Sequence, residues 1–194
     1  MAFALLDEAF PTQGALATHV GVSQARISQN VRTLGDTVER TSQGLVADVP
    51  KLSAWLVDTY PQVDHLTSTW VSVTPVTDLS RRIAAASDER DIRYALAGEA
   101  AADLIAPWAR PTGLTVWSDR MWDMRPLGLV PAPPSAANVV LRVPADPYRL
   151  RRTVIRDGVA VLAPWRLWVD LVQSGRGDAA AGVWRHLTRK GSRA

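Results

Sequence analysis

Polar side chains in one short stretch of the sequence have the types and spacing needed to contact a nucleic acid. Gln24, Ser28 and Gln29 lie within six residues of one another. Arg26 and Arg32 are interleaved with them. A glutamine amide can contact an adenine base edge through two hydrogen bonds, and a guanidinium pairs with phosphate oxygens. The chemistry open to this stretch is therefore recognition of bases and backbone, provided that one helix presents these side chains outward.

The apolar residues before this stretch predict a short helix that ends in a tight turn. Leu16, Ala17 and Val20 repeat at helical spacing, which indicates a first helix over residues 13–20. Gly21 follows it and tolerates the positive φ that a sharp break between two packed helices needs. The small side chain of Ala17 would let a second helix cross closely at that point.

A second helix is predicted to begin directly after Ser23, whose hydroxyl can accept a backbone N–H that the first turn leaves unpaired. Ile27, Val31 and Leu34 follow at positions i, i+4 and i+7. The helix should therefore bury one stripe and present the other. Two such helices around a glycine turn are typical of a helix-turn-helix, and an ordinary helical hairpin without a nucleic-acid partner is the alternative.

The helix-turn-helix hypothesis gives each polar residue of the motif a role. The second helix would begin at the major groove, and its amides and hydroxyl groups would contact base edges. The arginines and the residues that begin the first helix would hold phosphates. The expected DNA-binding residues are Thr12, Gln13, Ser23, Gln24, Arg26, Ser28, Gln29, Arg32 and, in the following segment, Arg40.

The segment after the second helix has the pattern of a β-hairpin. Gly35 is suited to end the helix, and alternating residues around Val38 and Leu45 flank a polar turn that ends in Gly44. A hairpin directly after a recognition helix would be the wing of a winged helix. Arg40 near its tip could then reach a phosphate or the minor groove, whereas a plain two-stranded connector would contact nothing.

A last helix is predicted to close this small domain. Asp48 can cap it, and Pro50 lies near its first position, where proline is favoured. Trp55 is expected in the core of the domain. These patterns predict a winged helix-turn-helix domain over residues 1–62, with His65 as a solvated loop residue in the boundary that follows.

Strand and helix patterns alternate from residue 67 to residue 194, which predicts a mixed α/β domain and an α+β fold class for the chain. Asp157-Gly158 predicts a hairpin, since this pair suits a type I′ turn. Strands are expected at about 68–73, 91–98, 114–117, 138–143 and on both sides of the hairpin in 153–162. Helices are expected at about 2–10, 77–86, 99–106, 121–127, 164–174 and 178–188.

Charge and composition limit the partners and the location. The chain carries a net charge of +3 and contains no cysteine, which excludes disulfides and fits a cytoplasmic protein. No apolar run approaches the roughly 18 residues of a membrane helix, so no membrane association is expected. The stretch between Glu8 and Asp36 contains no acidic residue, although residues 1–62 as a whole are slightly acidic. A modest DNA affinity, raised by formation of a homodimer, is the expectation.

Catalysis, a metal and a cofactor are not expected. His19, His65 and His186 are far apart, and no cysteine can complete a zinc site. Asp119 and Asp123 are four residues apart rather than the two that a phosphoryl-transfer site would favour. The phosphate-cradling glycine motifs and the nucleophile motif GxSxG are missing from the sequence.

A run of arginines is the most distinctive charged feature outside the first domain. It consists of Arg149, Arg151, Arg152 and Arg156. A solvated strand edge, an auxiliary phosphate contact and a docking face for an acidic partner are the three interpretations that its composition allows. Asp170, alone on an apolar helix, is expected to pair with a backbone group or an arginine rather than to catalyse.

Several segments together resemble the antitoxins of type IV abortive-infection systems, of the AbiEi type, and related actinobacterial winged-helix regulators. The segments are FPTQGALATHVGVSQARISQNVRTLG, LSAWLVDTYPQ with STWVSV, RYALAGEAAADLIAPWARPTGLTVWSD and LAPWRLWVDLVQSGRGDAA. The resemblance implies that the N-terminal domain binds the system's own promoter. It also implies that the C-terminal domain neutralises a partner toxin of nucleotidyltransferase type.

These observations together predict a sequence-specific DNA-binding repressor that occupies a palindrome or paired repeats as a homodimer. The resemblance extends this prediction to an autoregulating antitoxin. The alternatives are a winged-helix regulator without a toxin and a protein-interaction module without a toxin.

Overall fold

The structure of the protein, a computed structural model, describes residues 1–61, 65–107 and 110–191. The chain divides into two compact units, Met1–Pro61 and Gln62–Ala194. Helix makes up about 49% and strand about 22% of the described residues, so the fold belongs to the α+β class. None of the helices in the described ranges combines the length and the apolar character needed to cross a membrane.

The first unit consists of four helices and one hairpin within the described residues. In chain order the elements are α1 (Ala2–Asp7), α2 (Gln13–Val20), α3 (Gln24–Leu34), β1 (Val38–Thr41), β2 (Gly44–Ala47) and α4 (Val49–Thr59).

Side-chain caps and a glycine determine where α2 and α3 begin and end. The Thr12 hydroxyl accepts the backbone N–H of Ala15 at 3.0 Å, which caps α2. Gly21 ends this helix with φ 76°, and its N–H donates to the Ala17 carbonyl at 2.9 Å. The Ser23 hydroxyl then accepts the backbone N–H of Arg26 at 3.3 Å and caps α3. The predicted bounds of both helices are confirmed.

The apolar stripe of α3 packs into the unit as its spacing predicts. Ile27 and Leu34 are buried, with 0% and 3% of their surfaces exposed. Val31 is only half-buried. Leu16 and Ala17 of α2 are buried too, so the two helices share one core.

The predicted hairpin is confirmed, and it is anchored to the segment after α1. β1 and β2 pair antiparallel from Val38 opposite Ala47 to Thr41 opposite Gly44. Phe10 forms a bridge with Leu45, with N···O distances of 3.0 and 2.7 Å between their backbones. A side chain at Gly44 would collide with the Phe10 carbonyl. The first helix therefore ends at Asp7, and the prediction of helix through residue 10 was wrong because Phe10 pairs with a strand.

Helix α4 closes the unit. The Asp48 carboxylate accepts the Lys51 backbone N–H at 3.1 Å, and proline occupies the first turn, as predicted. Leu52 and Leu56 are the large buried residues of this helix. Trp55 is half-buried rather than central to the core. The buried core of the unit consists instead largely of leucines from several elements, Leu16, Leu34 and Leu45 among them.

The second unit contains one mixed sheet. Its strands are β3 (His65–Val71), β4 (Tyr94–Ala97), β5 (Leu114–Ser118), β6 (Val130–Pro131), β7 (Val139–Pro144), β8 (Thr153–Arg156) and β9 (Val159–Leu162). They lie in the order β6-β3-β7-β5-β4-β9-β8. The pairs β5/β7 and β4/β9 are parallel, and the other neighbours are antiparallel.

Helices cover the sheet. They are α5 (Val76–Glu89), α6 (Gly98–Ile105), α7 (Pro164–Gln173) and α8 (Gly177–Gly191). Ala95 and Leu96 are consecutive residues of β4, and both are fully buried. Because consecutive strand residues point to opposite faces, both faces of the sheet are covered at its centre.

Three local predictions in this unit had different outcomes. Asp157 and Gly158 have φ of 49° and 79° in the turn between β8 and β9, as the predicted hairpin requires. Residues 121–127 form only a 3₁₀ turn at Arg125–Leu127. Pro126 lacks an N–H and disfavours a helical residue before it, which explains the lost helix.

His65 begins strand β3 instead of lying in a loop, and its ring contacts the ring of Trp117 at 5.3 Å between centroids.

Candidate nucleic-acid interface

The face of α3 opposite its buried stripe is polar and open to solvent. Gln24, Arg26, Gln29 and Arg32 are exposed, and Ser28 is half-buried. The five side chains were predicted as base or phosphate contacts, and one helix carries all of them. The buried positions Ile27 and Leu34 determine this orientation, because they pin the opposite side of the helix to the core.

The start of α2 lies beside the start of α3. A Cβ placed on Gly14 would be 3.6 Å from the Thr12 hydroxyl and 4.0 Å from the Gln24 side-chain oxygen. Thr12 is exposed and Gln13 is half-buried at this edge. The structure thus brings the cap residue Thr12 to the same surface as Gln24, and Gln13 follows it at the start of α2.

The two cap residues have side chains that are already engaged. The hydroxyl oxygens of Thr12 and Ser23 each accept one backbone N–H, which leaves their O–H groups as donors. Donors suit phosphate oxygens and base acceptors. Their first role in this fold is to begin the helices, and contact with a ligand would be additional.

The exposed arginines of this unit are available to an anion. Within the described ranges, Arg26, Arg32 and Arg40 form no ion pair. Arg40 lies on β1 opposite Leu45, next to the polar turn of the hairpin, and is exposed. These three guanidinium groups are therefore the positive charges that a phosphate backbone can reach without first breaking an ion pair.

Acidic groups near the motif are partly neutralised by neighbours. Lys51 lies 3.2 Å from Asp36 and 3.5 Å from Asp48. The hydrogen bond to Asp36 raises the pKa of Lys51 above its usual range. Glu8 lies 3.5 Å from His19. The net charge of residues 1–62 is unchanged by these contacts, but the carboxylates of Asp36 and Asp48 have a cation beside them.

The arginine run of the second unit does not form a single exposed edge. Arg149 is buried, with 6% of its surface exposed, and donates to the carboxylate of Asp170. All three interpretations of the run require an exposed side chain, so none of them fits Arg149. Arg151 and Arg152 are exposed, and Arg151 stacks on Tyr148 at 4.0 Å. Arg156 lies in β8 and donates to the Ile155 carbonyl at 2.9 Å.

Asp170 has the arginine partner that its place on an apolar helix predicted. Burial raises the pKa of this carboxyl, and the positive charges of Arg149, Arg166 and Arg142 oppose that increase. The guanidinium groups of Arg149 and Arg142 also lie 4.0 and 5.6 Å from the Trp117 ring centroid. The sequence offered no signal for this cluster, because its members come from separate elements.

The acidic residues considered for catalysis are held in ion pairs. Asp119 lies 3.4 Å from Arg93 and 3.2 Å from Arg120. Asp123 lies 2.9 Å from Arg125, whose hydrogen bonds lower the pKa of that carboxyl. Across the part of the chain that the structure describes, no three His, Asp or Glu side chains come together as metal ligands would.

No family model, no curated protein and no solved structure matches this chain.

Proposed function

We propose that the first unit is a winged helix-turn-helix and that the protein is a sequence-specific DNA-binding transcriptional repressor. One observation carries this proposal. Helix α3 buries Ile27 and Leu34 while exposing Gln24, Gln29 and two unpaired arginines on its other side. That combination of a pinned helix with an exposed face rich in amides and guanidinium groups suits insertion into a major groove.

The first turns of α3 are proposed to contact the bases. In helix-turn-helix proteins the N-terminal residues of the second helix meet the base edges. Gln24, Ser28 and Gln29 occupy those turns, and a glutamine that binds an adenine through two hydrogen bonds discriminates by about 1–3 kcal/mol against other bases. These three side chains are the proposed sequence-reading residues.

Residues on and around that helix are proposed to contact the DNA backbone and so position the protein on the duplex. Arg26 and Arg32 lie on α3, and Thr12 with Gln13 lies at the start of α2. Arg40 on the hairpin would contact a phosphate beside the groove, as the wing of the proposed fold. Such contacts fix the register of the protein on the duplex without reading sequence.

The small number of exposed cations in one copy of the first unit is the reason why the proposed repressor is a dimer. One copy of the first unit offers three unpaired arginines, so its affinity for DNA would be modest at physiological salt. Two copies on a palindrome or on paired repeats, with half-sites about one helical turn apart, would raise affinity through two linked sites. A homodimer on DNA is therefore part of the proposal.

The role proposed for the second unit is neutralisation of a toxin of nucleotidyltransferase type, encoded beside this protein. It depends on the sequence resemblance described above, and the repressor would then regulate its own promoter. The DNA-binding proposal does not depend on this role. A regulator without a toxin partner would keep the same first unit.

A titration of the full-length protein against labelled DNA tests the repressor proposal. The probe is the region upstream of its own gene, with a scrambled duplex of the same length and composition as the control. We expect the upstream region to bind at least about 1,000-fold more tightly than the scrambled duplex at 150 mM salt. Equal binding to both duplexes would exclude sequence-specific repression, and absence of binding to either would exclude the DNA-binding role.

Co-expression with the neighbouring gene tests the second role separately. A tagged copy of this protein should retain that gene's product on an affinity column and restore growth of cells that express it. If DNA binding is specific but growth is not restored, the protein is a regulator without antitoxin activity.

A further inference from the structure

Two side chains that can only donate hydrogen bonds lie next to each other in the mixed sheet. Trp117 of β5 and Arg142 of β7 occupy opposite positions in the parallel register of these strands. Side chains at such positions project from the same face of the sheet. The Arg142 guanidinium lies 5.6 Å from the centroid of the Trp117 ring. An indole N–H and a guanidinium are therefore neighbours, and neither has an acceptor atom.

The indole N–H of Trp117 has no protein partner, and its nitrogen is open to solvent. Only 3% of the surface of Trp117 is exposed. No group in the described ranges accepts this N–H, and Nε1 keeps contact with solvent, whereas the Nε1 atom of Trp122 is enclosed. Buried donors are almost always hydrogen-bonded. The small exposed part of Trp117 thus includes a donor that an acceptor from solution can reach.

The Arg142 guanidinium also has donors that no protein group accepts. Arg142 is half-buried and forms neither a hydrogen bond nor an ion pair across residues 1–61, 65–107 and 110–191. Its Nε is enclosed, whereas its two terminal nitrogens reach solvent. The residue opposite Arg142 on its other neighbouring strand, β3, is the exposed Thr67. The face of the sheet beside Arg142 is therefore open on the side of β3.

The charges around Arg142 are positive overall. Arg149 and Asp170 form a buried ion pair beside the same ring, so the Asp170 carboxylate already has a partner. Burial lowers the pKa of Arg142, and the charge of Arg149 lowers it further against the opposing effect of Asp170. The charge of Arg166 also acts on Asp170. A further negative charge beside Arg142 would offset this repulsion between guanidinium groups.

The arrangement of the two donors suits a carboxylate. Neighbouring strands lie about 4.8 Å apart. A carboxylate that accepts a hydrogen bond of about 2.9 Å at each oxygen spans such a separation, and its planar shape matches the fork of a guanidinium. A monoanion is favoured over a dianion at the half-buried Arg142, because removal from water costs more as the charge of the ion increases.

We propose that Trp117 and Arg142 bind the carboxylate group of a small organic anion. One carboxylate oxygen accepts the Trp117 Nε1–H, and the other accepts a terminal N–H of Arg142. Arg149, held by Asp170, lies 4.0 Å from the Trp117 ring centroid and keeps the indole in position. The site belongs to the second unit and does not depend on the proposed DNA binding.

An NMR titration of the ¹⁵N-labelled full-length protein with acetate, at constant ionic strength, tests the site. The chain contains eight tryptophans, and each gives one indole N–H signal. The Trp117 signal is assigned through contacts of its ring with that of His65, whose centroid lies 5.3 Å away. We expect this signal to move downfield and to saturate, because a charge-assisted hydrogen bond deshields the donor proton. The enclosed Trp122 N–H is the internal control and should not move.

Variants at Arg142 test the second donor. Arg142→Met should weaken acetate binding at least about 10-fold, because it removes a charge-assisted hydrogen bond. Arg142→Lys keeps the charge without the fork and should weaken binding by a smaller factor, which keeps the test valid if Arg142→Met does not fold. Arg156→Met is the matched control, since Arg156 is also half-buried and lies on β8 at the far edge of the sheet. It should leave the affinity within about 2-fold of wild type, because a distant charge is largely screened.

Absence of a saturable shift of the Trp117 signal would overturn the proposal, as would wild-type affinity in Arg142→Met or in Arg142→Lys. Equal effects of acetate and chloride would reduce the shift to general screening of charge and overturn it too. Tighter binding of inorganic phosphate than of acetate would contradict the carboxylate assignment. N-acetylglutamate α-amide presents the carboxylate as a protein side chain does. Tighter binding of this compound than of acetate would replace the small molecule by an acidic protein segment.

Discussion

Arg149 and Asp170 form a buried ion pair, and the Arg149 guanidinium lies 4.0 Å from the centroid of the Trp117 ring. The pair joins the 3₁₀ turn at Pro147–Leu150 to helix α7. Arg142 lies over the same ring from strand β7. The ion pair and the Trp117 ring thus connect a turn, a strand and a helix that are distant in sequence.

Removal of one member of this pair should destabilise the second unit. In Asp170→Asn the Arg149 guanidinium stays buried without its carboxylate, which typically costs about 3–5 kcal/mol. Urea unfolding followed by tryptophan fluorescence measures the change. Asp123→Asn, which breaks the exposed pair with Arg125, is the control and should have little effect. Similar small effects of both variants would show that the buried pair has no special role in stability.

Loss of the two glutamines of α3 should reduce discrimination between DNA sites more than overall affinity. Gln24→Ala/Gln29→Ala removes the proposed base contacts and leaves all arginines in place. We expect the ratio of specific to random binding to fall at least about 10-fold, because each amide–adenine pair contributes about 1–3 kcal/mol of discrimination. Competition titrations on the upstream region and on scrambled DNA measure this ratio.

Gln43→Ala is the matched control for that experiment, since it deletes the same amide from the exposed hairpin turn rather than from α3. The ratio should stay close to the wild-type value. An equal loss on specific and random DNA in the α3 double variant would contradict the base-reading roles of Gln24 and Gln29.

Removal of the α3 arginines should change the salt dependence of DNA binding. Each phosphate contact contributes about 0.9 to the slope of log K against log salt concentration. Arg26→Ala and Arg32→Ala should each reduce the magnitude of the slope by about 1, with similar loss on all sequences. Arg82→Ala removes one exposed charge from α5 and is the control. A slope that is the same in all three variants would remove Arg26 and Arg32 from the phosphate contacts.

Ionisation of Tyr94 should make the folded protein less stable at alkaline pH. Burial raises the pKa of this phenol above its usual value of 10.0 and outweighs the opposite effect of the Ala160 N–H, which the phenol oxygen accepts at 3.2 Å. The unfolded chain therefore loses this proton before the folded protein does. The stabilising contribution is complete below pH 10 and is lost as pH rises from there through the folded-state pKa.

Urea unfolding from pH 8 to pH 11 tests the ionisation of Tyr94. The free energy of unfolding of the wild type should fall in the alkaline part of this range by more than that of Tyr94→Phe. Tyr148→Phe, at an exposed ring, should retain the wild-type pH dependence. If the Tyr94→Phe curve is parallel to the wild-type curve, another group accounts for the loss.

Local signals in the sequence were enough to place most elements of the first unit. The hydroxyls of Thr12 and Ser23, the carboxylate of Asp48 and the glycine at position 21 act within four residues of themselves, so their effects can be read without the fold. The alternation around the Asp157-Gly158 turn is equally local. The exposed face of α3 follows from the spacing of Ile27, Val31 and Leu34 alone.

Apart from the helix expected at residues 121–127, which Pro126 prevents locally, the wrong predictions depended on a distant residue. Phe10 leaves the first helix because Leu45 pairs with it, and Trp55 is only half-buried because leucines of several helices fill the core. Arg149 looked like part of a surface run, yet Asp170 and Trp117 bury it. In each case the deciding contact joins residues that the sequence separates by more than twenty positions or that belong to different elements.

Caps, turns, amphipathic faces and the candidate DNA-contacting residues could be predicted from the amino-acid sequence, since each depends on neighbours along the chain. The strand order and the burial of Arg149 beside Trp117 could be known only from the folded molecule. Packing and desolvation act between surfaces of different elements, and the order of residues along the chain does not specify which of those surfaces will be in contact.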